Sequence, residues 1–526
     1  MKRRHVLKLL AASNLFPFFS NVNAMPNSES IHLANLVRVG DMFKSGTLTP
    51  SQLLDAYLIE IARIDRRGPN LHAILELNPA ARDIAQKFAS ARPEDARPLL
   101  GIPVLIKGNI ATGDAMQTSA GSFALDGGPA LRDAHLVTRL REAGAVLMGK
   151  TNLSEWANLR CSRSISGWSA VGGLTRNPHV LDRTASGSSS GSAVAVAAGL
   201  CALAVGTETD GSIVSPASCN GIVGIKPTVG LVSRDGIIPI SHTQDTAGPM
   251  ARTVTDAALL LSVLAGRDAR DDTTALAPSL AMLSELSPDA LRGRRIGIMR
   301  SAFSKSPEVI ALTERAIAVM QGLGAVVVDP VELPSGDKYN ESELLVLLTE
   351  FKVGLANYLG EFARPGQPRS LADVIAFNLA HADRELSEFG QDLFETAEAT
   401  KGLADPAYLA ALVQCRDLAR TNGIELALSQ NGLDALCAPT GDPAYPIDLV
   451  NGDSGGASFS TPAAVAGLPH ITVPMGAVRG LPVGLSLVGA AYSEPRLIGM
   501  AYAYEQASNA RVMPSFIPTV PLKSKG

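Results

Sequence analysis

The sequence predicts an α/β protein: one large domain built on a central mixed β-sheet covered by helices. Three observations carry that expectation. Short apolar runs of strand length alternate with helical patterns from end to end, the arrangement that buries a sheet between helices. Of the 526 residues 46% are hydrophobic and 18% charged, the balance of a globular chain with a large core. No Pro/Ser linker, low-complexity tract or short repeat divides the chain, so a length that allows about three domains reads as one.

The elements follow in order. Thr49-Pro50-Ser51-Gln52 supplies a capping hydroxyl, a proline suited to the first turn and a glutamine at the third position, so a helix starts there. The following LLDAYLIEIARI sets Leu53, Leu54, Tyr57, Ile61 and Ala62 at helical spacing, a core-facing stripe. HAILEL (72–77) reads as a strand, AARDIAQKFASA (80–91) as a helix and PVLIKGN (103–109) as a strand. AHLVTRLREAG (134–144) is helical before the strand AVLMG (145–149), and SAVAVAAGL (192–200) is helical before CALAVGTET (201–209), a strand that runs into a loop of small residues. RRIGIMRS (294–301) and AVVVDPVEL (325–333) read as strands around a helix at 306–324, and residues 340–430 are mostly helical in pattern. Strands return at LDALCAP (433–439), HITVPMG (470–476) and VGLSLVG (483–489), and a helix over 494–507 closes the series.

The first 24 residues, MKRRHVLKLLAASNLFPFFSNVNA, stand apart. A basic start, an apolar middle without acids and Val22-Asn23-Ala24 as a small-x-small cleavage site read as a secretory signal peptide, and Arg3-Arg4 followed by Val6-Leu7-Lys8 resembles a twin-arginine signal. The expectation is therefore a signal at 1–24, a mature domain at 25–526 and an exported, periplasmic or secreted protein. The mature chain carries 42 basic against 50 acidic residues, a net charge of −8, with no Lys/Arg stripe, which argues against a nucleic-acid partner. Beyond the signal no apolar run reaches the ~20 residues of a membrane span. Five cysteines (Cys161, Cys201, Cys219, Cys415 and Cys437) are too scattered for a disulfide scaffold, and no CxxC or His/Cys cluster points to a metal, so none is expected, nor any other cofactor.

Several short motifs match the wrong chemistry. Gly144–Thr151, GAVLMGKT, fits the phosphate-loop pattern letter for letter, yet its variable positions are an apolar run suited to a buried strand rather than a turn of inward N–H groups. GDSGG (452–456) resembles a chymotrypsin-type nucleophile loop but reads as a flexible turn. GSSSG (187–191) centres Ser189 as in a nucleophile elbow, which needs a downstream acid and histidine. Of the histidines that follow, His470 reads as a packed strand-end residue and His242 as the border of a pocket; His381 lies in the helical region. Ser335 and Lys338 form S-x-x-K in what reads as a surface turn.

Three other elements occur in order: GIPVLIKGN with Lys107, ASGSSSGSAVAVAAG with Ser188, and GTETDGSIVSPASCNGIVGIKPT with Ser212. Together they resemble the amidase signature family, closely over about residues 100–260 and, through VAGLPHITVP and GLPVGLSLVG, across most of the mature chain. The resemblance implies the amidase signature fold and a Ser-cisSer-Lys triad: Ser212 as acyl-accepting nucleophile, Ser188 as bridging serine after a cis Gly187–Ser188 bond, and Lys107 as base. It also implies an oxyanion hole among the N–H groups of Thr209, Asp210, Gly211 and Ser212. A serine can dispense with histidine when a second hydroxyl relays its proton to an amine, provided burial keeps that amine neutral. Lys107, at the end of an apolar strand, suits that requirement.

The chain departs from the family at Ser186, Ser190, Gly108, Asp210 and Val214, none of them in the triad. TETDGSIV, KPTVGLVSRDGIIPIS and QDTAGPMAR, with NLSEWAN and SGWS upstream, resemble peptide amidases, which release ammonia from C-terminally amidated peptides. The expected partner is thus a peptide or small-molecule amide. Trp156 and Trp168 read either as lining the cleft or as core aromatics. Two other functions stand beside this one: an amidase for small aliphatic or aromatic amides, and a nucleotide-binding protein acting through residues 144–151.

Overall fold

The capping signal at Thr49 is realised in full. In the computed structural model, which describes residues 31–89, 95–335 and 338–521, the Thr49 side chain accepts from Gln52 N while Gln52 returns a bond to Thr49 N at 2.9 Å. The segment 1–24 read as a signal lies outside the described residues. Helix α1 (Leu36–Lys44) precedes α2 (Pro50–Glu60), which buries Leu53, Leu54 and Tyr57 as its spacing predicts. Ala62 departs from the expected stripe. The chain widens to an i→i+5 turn over Ile61–Asp65, with Arg66 N donating to Ile61 O at 3.1 Å, and this rotation buries Ile64 and exposes Ala62.

Among the described residues thirteen strands follow with the helices between them. They are β1 (Ile74–Leu77), β2 (Pro103–Lys107), β3 (Val146–Thr151), β4 (Trp168–Ser169), β5 (Gly173–Leu174), β6 (Leu203–Glu208), β7 (Val223–Lys226), β8 (Thr246–Ala251), β9 (Arg295–Ile298), β10 (Val326–Val328), β11 (Ala435–Pro439), β12 (His470–Val478) and β13 (Leu481–Val488). Eleven form one mixed sheet in the order β1-β3-β2-β6-β8-β7-β12-β13-β11-β9-β10, and β4 pairs with β5 apart from it. β2 runs parallel to both β3 and β6, whereas β8 lies between β6 and β7 and runs antiparallel to each. This is the central mixed sheet the alternation predicts. β7 and β8 are the additions: GIVGIK and TAGPMA are interrupted by glycine and proline, which hides strand character from propensity.

β2, β3 and β6 are buried along their whole length. Their neighbours explain why. Helix α3 (Ser190–Ala197) packs on all three and α4 (Val254–Leu264) on β6 and its neighbours, with Ala, Val and Leu side chains that are buried almost throughout. No described helix is long and apolar enough to cross a membrane.

Three secondary expectations meet definite answers. Residues 146–151 of the phosphate-loop match form β3, and Lys150 points into the protein, bonded to Ile110 O and to Thr118 Oγ1 (3.1 Å). Trp156 and Trp168 are core aromatics, 1% and 7% exposed, set edge-on to Phe394 and Phe389. Ser335 of the S-x-x-K match is buried rather than on the surface.

Candidate active site

Lys107 ends β2 and is 0% exposed. Its Nζ lies 2.7 Å from Ser188 Oγ, 2.9 Å from Thr207 Oγ1 and 3.2 Å from Thr207 O. No carboxylate among the described residues reaches it as an ion pair. Burial therefore acts on the ammonium with little local compensation and pushes the amine down to about 7, although Asp245 and Glu208 draw it upward. At neutral pH a large share of Lys107 carries a free lone pair.

Ser188 reaches the amine because the loop before α3 is packed against its neighbours. The Gly187–Ser188 peptide is cis. A side chain at Gly187 would place its first carbon 2.2 Å from Ser154 Oγ, so only glycine passes there. Ser154 N donates to Ser188 O at 3.0 Å, and Ser189 N donates to Ser212 O at 3.1 Å. The second bond ties the serine loop to the loop that follows β6, one residue away from Ser188. Ser189 itself is closed to chemistry: its hydroxyl donates to Thr207 O and accepts from Thr207 N, at 3.0 and 3.2 Å. The apparent nucleophile elbow is a clasp.

The loop after β6 is held from behind by acids. Glu208 Oε2 accepts from Ile213 N (2.6 Å) and Val214 N (3.0 Å), which fixes the residues that follow Ser212. Asp210 Oδ2 accepts from Thr461 Oγ1 at 2.7 Å, and Thr209 Oγ1 donates to Asp245 Oδ1 at 2.5 Å. Burial raises the pKa of both Glu208 and Asp210. Gly211 sits at φ +79°, and a side chain there would meet the hydroxyls of Ser215 and Ser460 at 2.9 Å. The N–H groups of Asp210, Gly211 and Ser212 donate to no other described residue. Three donors are thus left for a ligand beside the Ser212 hydroxyl.

Two cavities flank this centre. One, of about 300 Å³, includes Asn109, Thr207, Thr209, Ile238, His242 and Asp245 in its wall. The other, of about 200 Å³, includes Ser186, Ser215, Asp442, Tyr445, Gly455 and Gly456. His242 borders a pocket as its polar loop predicts, with Nδ1 3.3 Å from Glu350. His470 is packed on β12, bonded to Ser486 Oγ at 2.6 Å and pushed down to about 3 by burial, so its ring stays neutral. GDSGG is more anchored than a flexible turn: Asp453 N donates to Ser164 O at 3.1 Å and Ser166 Oγ donates back to Asp453 at 2.6 Å, and its glycines wall the second cavity.

The sequence brings forward Lys107, Ser188, Ser212 and the 209–212 loop, and the fold gathers all of them at the ends of β2 and β6. Thr207, Glu208, Asn109 and Asp245 escape it. Asn109 Nδ2 donates to Thr207 Oγ1 at 3.0 Å, so Thr207 joins Asn109 to Lys107. These positions lie inside the quoted motifs, and their polar side chains in apolar surroundings are the signal that marks them.

An amine pressed on a hydroxyl, beside a loop of free N–H donors, defines a class of acyl-transfer enzyme, and comparison gives the class its family. The chain belongs to the amidase family, whose signature matches residues 53–498, and it is an amide hydrolase. A probable amidase of Arabidopsis thaliana is 41% identical over 502 residues, covering 93% of this chain and 92% of its own. An amidase family protein of Bacillus anthracis, known from its crystal structure, is 36% identical with a TM-score of 0.84, covering 92% of each chain. The peptide amidase of Stenotrophomonas maltophilia, also a solved structure, is 52% identical with a TM-score of 0.88, covering 93% of this chain and 99% of its own.

Proposed function

We propose that this amidase is a peptide amidase, hydrolysing the C-terminal carboxamide of peptides through an acyl-enzyme on Ser212. The observation that carries the mechanism is the 2.7 Å contact between the buried Lys107 amine and Ser188 Oγ. Ser212 Oγ attacks the carbonyl carbon, its proton passes to Ser188 Oγ, and the Ser188 proton passes to Lys107 Nζ. The negative charge that develops on the carbonyl oxygen is received by the N–H groups of the 209–212 loop. Collapse breaks the C–N bond, and the leaving nitrogen takes the proton back through Ser188 to depart as ammonia. A water then attacks the ester by the same relay, releasing the acid and restoring the Ser212 hydroxyl.

The choice of a peptide amide rests on the 52% identity to the peptide amidase over nearly its whole length and on the second cavity. With Ser186, Ser215, Asp442, Tyr445 and Gly456 in its wall, it would take the main chain of the peptide. An ammonia-release panel tests it with amidated peptides, free small amides and peptides that have only internal bonds. Release from the amidated peptides, abolished by Ser212→Ala, is expected. Activity confined to the small amides would overturn the substrate choice, and turnover by Ser212→Ala would overturn the mechanism. We also propose that residues 1–24 direct export, which cell fractionation tests by finding the mature protein outside the cytoplasm.

A further inference from the structure

Asp245 lies where two constraints on the site meet. β6 and β8 pair with Glu208 opposite Thr246, so the residues just beyond that pair, Thr209 and Asp245, continue the ladder as a side-chain bond. Asp245 Oδ1 accepts from Thr209 Oγ1 at 2.5 Å, and Oδ2 accepts from Ile240 N and Ser241 N at 2.8 and 2.9 Å. One carboxylate therefore fastens the first residue of the oxyanion loop to the 240–245 turn. The same carboxylate shares the wall of the 300 Å³ cavity with Thr207, which accepts from the Lys107 amine, with Asn109, which donates to Thr207, and with Thr209.

We propose that Asp245 is a positioning residue that fixes Thr209 at the head of the oxyanion loop and whose negative charge sets how readily Lys107 accepts a proton. This rests on the reading of Lys107 as base.

The charges around it leave Asp245 this role. Glu208, the other acid that acts on Lys107, spends one oxygen on Ile213 and Val214 behind Ser212. Across the cavity Arg234 is held by both oxygens of Asp271, and Asp235 by Arg132 with Arg270 at 3.8 Å. On the same turn His242 faces Glu350, which also takes the Ser241 hydroxyl at 2.5 Å. Burial raises the Asp245 carboxyl to about 6, so it still carries its charge at neutral pH. A fixed negative charge near an amine favours the ammonium.

The test is the pH dependence of kcat/KM for ammonia release, measured on wild type, Asp245→Asn, Asp245→Ser and Thr209→Val. In both neutral variants at position 245 the acid limb should move to lower pH by about half to one unit, as loss of a nearby charge moves an amine. Thr209→Val, which removes the fastening and keeps the charge, should lower kcat by about tenfold or more with the limb unmoved. A limb at the wild-type pH in a folded, active neutral variant overturns the proposal. Failure of both neutral variants to fold overturns it as well, because the role is then structural. A wild-type profile with no limb near neutral pH, or activity retained in Lys107→Ala, refutes instead the base on which the proposal rests.

Discussion

Lys107 Nζ and Ser188 Oγ stand 2.7 Å apart inside the protein, with no carboxylate of the described residues paired to the amine. A strongly solvated ammonium is the ordinary state of lysine, and burial here disfavours it; the proposed relay uses the neutral amine that results. Position 107 therefore needs a removable proton as well as a nitrogen. Lys107→Arg keeps the charge and cannot release a proton at any working pH. It should lose activity about as fully as Lys107→Ala, by ~10²–10⁴ in kcat, and ammonia-release rates of the two variants check the equality.

The pH profile follows from the same amine. Burial brings Lys107 down to about 7, and the base must be neutral, so kcat/KM should fall about tenfold for each unit below neutrality and level off above it. Buried histidines do not account for that limb: His470 is held near 3 and His179 near 4. Rates measured from pH 5 to 9 read the inflection directly.

Lys150 gives a stability prediction with a definite sign. Burial pushes it to about 7 from 10.5 in the unfolded chain. Between those values the unfolded state binds more protons, so this group's contribution to stability rises with pH through that window and is constant below it. A Lys150→Met chain lacks the term. Its unfolding midpoint relative to wild type should fall by ~2 °C or more between pH 7 and 9.5, as calorimetry at the two pH values would record.

The phosphate-loop match predicts a negative result. Lys150 is tied to Ile110 and Thr118 within β3 and its neighbours, and the motif's turn does not exist. Excess ATP with magnesium should leave the unfolding midpoint unchanged. A concentration-dependent rise would revive nucleotide binding.

Two glycines separate local from site effects. Gly40, in α1, has open space where a side chain would go, so Gly40→Ala should stabilise by ~0.5–1 kcal/mol. Gly211→Ala meets two hydroxyls at 2.9 Å from a left-handed backbone and should cost at least tenfold in kcat while the chain still folds. Thermal unfolding and turnover of the pair distinguish the two.

The alternation of strands and helices, the cap at Thr49 and the three ordered motifs that carry Lys107, Ser188 and Ser212 are all legible in the residues alone. They are legible because hydrophobic period, capping and motif order are properties of neighbouring residues. Legibility ends where one rotation or one contact decides: a widened turn exposes Ala62, glycine and proline conceal β7 and β8, and Trp156 and Trp168 stand undecided between cleft and core. Folding in three dimensions is what brings Lys107 to Ser188, makes Ser189 a clasp, and closes Asp245 on Thr209 across the β6–β8 ladder. Those contacts join residues 18 to 81 positions apart, and distance along a chain carries no record of which neighbours meet: burial lowers Lys107 and Lys150 alike, and only the fold sets one against the Ser188 hydroxyl and ties the other to Ile110 and Thr118.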